Sequence, residues 1–184
     1  MTHNSYSICI AILFAFIGIH INAAEVRPQS PAEARGNGGS LIISNIDKFN
    51  RGDLDGFAAD YAESLSNHGA TVPRAAIRQI GEDIRRTFPD AVFELIDLVS
   101  VGEFVVVRMT FKGTHRGKGK LPVNGGMLVG VEPTGKGFAV EHIHWFRVRG
   151  NKIVEHHASR DDIGMMRQLG LIASPDPAQS VPAN

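Results

Sequence analysis

The stretch at positions 138–159, FAVEHIHWFRVRGNKIVEHHAS, decides how this chain folds. It is rich in β-branched and aromatic residues, and Gly150-Asn151 divides it into strands 138–149 and 152–159, so it reads as a β-hairpin. Alternation puts His142 and His144 on one strand face and Trp145 and Arg147 on the other, and it sends His156 and His157 to opposite faces. Upstream, AVFELIDLVS at 91–100 and EFVVVRMTFKGTH at 103–115 have the same character. Val101-Gly102 separates them, which makes a second hairpin.

Farther toward the N-terminus the period becomes helical. Ser40 is placed to cap a helix carrying Ile42, Ile46 and Phe49, which Arg51-Gly52-Asp53 breaks. Asp53 caps a second helix, on which Leu54, Phe57, Ala58, Tyr61 and Leu65 share one face. A third begins near Pro73, carries Ile77, Ile80, Ile84 and Phe88 as a stripe, and ends at Pro89. After the last strand a short helix, capped by Asp162, carries Met165, Met166 and Leu169 and stops at Gly170. Helices followed by strands define the α+β class. The expected form is a curved antiparallel sheet with helices over its concave face, enclosing a pocket.

The flanks differ from this domain, which spans residues 40–172. Positions 8–21, ICIAILFAFIGIHI, are apolar apart from His20 and lead to Asn22-Ala23-Ala24-Glu25, the layout of a secretory signal peptide over residues 1–24. The run is shorter than the roughly 18 to 20 residues a helix needs to cross a bilayer, so export with cleavage is expected over an uncleaved membrane anchor, although no Lys or Arg precedes Arg27. Residues 25–39 read as a linker and 173–184 as a disordered tail. After cleavage no membrane attachment is expected.

Composition narrows the function. The 184 residues include 19 basic and 19 acidic side chains, so no basic surplus exists for counterion-driven nucleic-acid binding. Hydrophobic content of 43% excludes a disordered chain. Cys9 is the sole cysteine, so a disulfide framework is impossible within one chain. The balanced charge favours a small, weakly charged molecule held in the pocket as the partner.

His142 and His144 could hold a metal only with a third ligand such as His157 or Asp161, and no compact ligand signature accompanies them, so no metal is expected. The segment at 130–137, GVEPTGKG, nearly fits a phosphate loop, yet Gly137 stands where a Ser or Thr is required and a strand follows instead of a helix. A turn on Pro133-Thr134-Gly135 is expected there. Of the two carboxylates after the last strand, a cap at Asp162 leaves Asp161 free to point into the pocket as a general base.

The ordered set Asn50-Arg51-Gly52-Asp53-Leu54, Phe88-Pro89-Asp90, Gly113-Thr114-His115, Pro133-Thr134-Gly135-Lys136, Asn151-Lys152-Ile153-Val154-Glu155-His156 and Gln168-Leu169-Gly170 resembles the SnoaL-like polyketide cyclases, or ester cyclases. The resemblance implies the cone-shaped α+β fold shared with nuclear transport factor two, scytalone dehydratase and ketosteroid isomerase. It implies cofactor-independent aldol-type chemistry, in which Asp161, six residues after Glu155, abstracts a proton alpha to a carbonyl. His142, His144 or Arg147 would hold the enolate. The pocket lining it implies comes from His142, His144, Trp145 and Arg147 on strand 138–149 and from Asn67 and His68 at the end of the second helix. His157 stands where the family usually has a tryptophan, which should make the pocket wetter. The fold commonly pairs through its sheet, so the resemblance admits a homodimer. Two other readings stay open: a non-catalytic exported protein that binds a small apolar ligand, and a metal hydrolase built on the strand histidines.

Overall fold

The computed structural model describes residues 37–174. The leader, most of the linker and most of the tail lie outside the described residues. Helix α1 (Asn37–Asn50) begins before Ser40, within the stretch read as linker, and presents Ile42, Ile46 and Phe49 to the interior. Asp53 caps α2 (Leu54–Ala59) by accepting from the Gly56 amide at 2.8 Å.

The second helix is shorter than its apolar stripe suggests. It ends at Ala59, and Tyr61–Asn67 is strand β1. Tyr61 and Leu65 are both buried, and a spacing of four keeps two residues on one face of a helix and of a strand alike. Asp60 settles the ambiguity, because its carboxylate accepts from Asn45 at 3.0 Å and Lys48 at 2.7 Å and ties the chain to α1 at the point of exit. His68-Gly69, with φ of 51° and 83°, forms the tight turn into β2 (Ala70–Pro73), as a two-residue hairpin requires.

Helix α3 (Arg74–Thr87) follows Pro73, and β3 (Val92–Val101) and β4 (Phe104–Thr114) form the first expected hairpin. A long loop with one 3-10 turn (Val123–Gly126) leads to β5 (Gly137–Arg149), β6 (Lys152–Arg160) and α4 (Asp162–Gln168). The glycine-rich segment runs into a strand, as read. The six strands form one sheet in the order β2-β1-β6-β5-β4-β3. It is antiparallel except for the β1–β6 pair, which is parallel because β1 enters from α2 and not from a hairpin. Irregular register in β3, β6 and β1 bends the sheet. The helices cover its concave side. Two apolar clusters make up the core, one around Val105, Val107 and Phe146 and one around Phe88, Phe111 and Met165.

Candidate active site

Strand β5 buries every second residue, Phe138, Val140, His142, Phe146 and Val148, and keeps Ala139, Glu141 and Ile143 exposed. His142 and His144 thus belong to an apolar row that faces inward. Pairing with β6 sets His142 opposite Arg160, His144 opposite Ala158 and Phe146 opposite His156, and residues paired in this way share a face. Ala158 is the smallest of these, and the space it leaves lets the rings of His144 and His156 meet diagonally, with centroids 5.0 Å apart. A file of hydrogen bonds results. His142 Nδ1 lies 3.3 Å from His144 Nε2, His144 Nδ1 lies 3.2 Å from His156 Nε2, and His156 Nδ1 lies 2.9 Å from the Asn67 amide oxygen.

This file forms one wall of a cavity of about 350 Å³ between the sheet and the helices. The other walls are mainly apolar, drawn from both clusters: Ile46 and Phe49 of α1, Ile77 and Ile84 of α3, and Met109 and Phe111 of β4. Arg160 reaches the same space, as do Asn67 and His68. Pro122 and Val123 close one side. Their loop is held by Asp83, a wholly buried carboxylate that pairs with Arg86 and accepts from the amides of Lys120 at 3.0 Å and Leu121 at 3.1 Å. The charged group is satisfied on several sides, which is what burial of a carboxylate requires.

The electrostatics favour neutral rings. Burial pushes His142 down to about 4, with the positive charge of Arg160 adding to the effect and the carboxylate of Asp161 opposing it. His156 falls to about 3, through burial first and then the neighbouring His68, His157 and Arg160. His144 is held well below its ordinary value by burial and by His156 and His142. Three neutral imidazoles make a wall of weak acids and bases in apolar surroundings. Among the described residues no three His, Cys, Asp or Glu side chains converge as a metal site, and the ring nitrogens of the file face one another at hydrogen-bonding distances.

A family model described as SnoaL-like polyketide cyclase matches residues 41–169. The chain belongs to this family. The chain is 30% identical to nogalonic acid methyl ester cyclase of Streptomyces nogalater over 131 residues, which are 68% of this chain and 91% of that protein. Among solved structures it resembles IdmH from Streptomyces antibioticus, with a TM-score of 0.61 and 26% identity over 73% of this chain and 99% of that one. It also resembles TsrD from Streptomyces laurentii, with a TM-score of 0.64 and 24% identity over 75% and 98% of the two chains. The last of these likenesses concerns the fold alone.

The residues named from the sequence separate into two groups in the structure. His142, His144, Asn67 and His68 line the cavity, Asn67 and His68 from the end of β1 and its turn instead of from a helix. Trp145, Arg147 and His157 lie on the opposite face, where Arg147 stacks over Phe104 and His157 meets Trp145 with ring centroids 5.5 Å apart. His157 therefore replaces no cavity wall, and the expected wetting from that position does not follow. The cap is also reassigned. Asp161, not Asp162, caps α4, its Oδ1 accepting from the Gly164 amide at 2.7 Å. Asp161 is exposed and does not line the cavity, although its charge acts on His142. Asp162 instead pairs with Arg160 at 3.3 Å. His156 and Arg160 were not singled out from the sequence, and both are part of the site.

Proposed function

We propose that this chain is a cofactor-independent acid/base enzyme that closes a ring by aldol-type chemistry on a small, weakly charged substrate. The observation that carries the reading is the mainly apolar cavity with the imidazole file ending in His142 along one wall. An imidazole at that wall takes a proton from the carbon alpha to a carbonyl. The resulting enolate attacks a second carbonyl, and the alkoxide formed there recovers the proton. Arg160, a cation that reaches the cavity, takes over the enolate-holding role considered for Arg147, because Arg147 is on the other face. Asp161, the carboxylate that the family resemblance points to, acts beside the file: its charge supports a transient imidazolium on His142.

The relative's name supplies a probe, nogalonic acid methyl ester. His142→Gln should lower kcat on a substrate that turns over by about 10²-fold or more, the usual size of a general-base contribution. Asp161→Asn, which keeps a capping oxygen, should lower it less. If Asp161→Asn abolishes turnover while His142→Gln spares it, the aspartate is the base. If ligand binds and neither substitution alters any turnover, the chain is a binding protein of the same fold. The apolar positions 8–21 support export of this enzyme, which the N-terminal sequence of secreted protein tests.

A further inference from the structure

The file of histidines contains three rings and makes three hydrogen bonds, one of them to Asn67. A neutral imidazole carries one N–H. Three rings therefore bring three hydrogens to three bonds, and the direction of any one bond fixes the direction of all. The terminal partner is an amide oxygen, which only accepts. His156 must donate to it from Nδ1, so its Nε2 accepts from His144 Nδ1, and His144 Nε2 in turn accepts from His142 Nδ1. The opposite direction would leave a proton on His142 Nε2 and make that ring an acid at the start of the cycle.

We propose that Asn67 is the positioning residue of this site, fixing the Nδ1–H tautomer along His156, His144 and His142 so that His142 Nε2 holds the lone pair that accepts the substrate proton. The inference rests on the acid/base reading above and names how that reading is built. The step balances within the substrate and one ring. The C–H bond breaks and its electron pair passes to the enolate, while an N–H bond forms at His142 Nε2. After the new C–C bond forms, that N–H proton goes to the alkoxide. The file is an orienting device and not a wire. His142 alone has a nearby carboxylate among the influences on its proton, whereas His144 and His156 are surrounded by other imidazoles and Arg160. Charge therefore stays on His142, and the two inner rings stay neutral.

The test reads tautomers directly, by long-range proton–nitrogen correlation spectra of protein labelled with 15N-histidine at neutral pH without substrate. All three rings should show a protonated Nδ1 and a bare Nε2. Asn67→Asp, an obligate acceptor, should preserve that pattern. Asn67→Leu should scramble it and reduce kcat at least about tenfold with little change in KM, as a wrong tautomer does to a catalytic histidine. A protonated Nε2 on His142 in the native protein overturns the proposal, and so does full kcat in Asn67→Leu with scrambled tautomers. Should Asn67→Leu fail to fold, the native and Asn67→Asp spectra decide it alone. Because the spectra need no turnover, failure of the broader reading, seen as activity surviving His142→Gln, is distinguishable from failure of the tautomer assignment.

Discussion

Asp161 has two tasks that one substitution can separate. Its Oδ1 closes the first turn of α4 on the Gly164 amide, and its charge reaches His142. Asparagine caps about as well as aspartate, whereas alanine at a cap costs about 1 kcal/mol. Asp161→Asn should therefore leave the urea midpoint near that of the native protein and lower only kcat, by less than His142→Gln does, while Asp161→Ala should lower the midpoint as well. Equal midpoints for Asn and Ala would show that the cap contributes nothing. The capping role is legible in retrospect. Asp53 precedes Gly56 as Asp161 precedes Gly164, and at both glycines a Cβ would collide with the capping carboxylate. The same Asp-x-x-Gly spacing that identifies Asp53 as a cap identifies Asp161, so the assignment to Asp162 overlooked a signal the chain contains twice.

At the scale of elements, the hairpin of β5 and β6 was readable and its register was not. Counting back from the Gly150-Asn151 turn pairs Arg149 with Lys152 and Val148 with Ile153, as observed. The next pair is Arg147 with Glu155, so β6 gains one residue at Val154. A slip of one residue exchanges the two faces of a strand. Without it His157 would stand opposite His144 and face the cavity; with it Ala158 takes that place and His156 turns inward. Composition does not announce such a bulge, because Val154 suits either register. The β1 error has a similar root: Leu54, Phe57, Ala58, Tyr61 and Leu65 satisfy a helical stripe, yet the last two also satisfy a strand. What decides there is the contact of Asp60 with Asn45 and Lys48, between residues 12 to 15 positions apart, beyond the range of local pattern. The face of β5 could be chosen on burial alone, since Phe138, Val140, Phe146 and Val148 keep the parity of the two histidines.

For the whole molecule, the polar wall is bought with pH sensitivity. In the unfolded chain His142, His144 and His156 take up protons below their ordinary value near 6.5. In the folded protein His142 does so only near 4, His156 near 3, and His144 well below the ordinary value. Burial shifts His68 and His115 in the same direction. Between these limits the unfolded state binds more protons, so stability falls as the pH falls, by up to about 1.4 kcal/mol per pH unit for each such ring. Urea midpoints measured at pH 7, 6 and 5 should therefore decline steadily, with little change between pH 7 and 8. His156→Gln should lower stability at pH 7 and reduce the decline between pH 6 and 5, since one ring fewer separates the two states. A midpoint that is flat from pH 7 to 5 would mean that these rings take up protons as readily in the folded protein as in the unfolded chain, so burial would not be holding the file neutral.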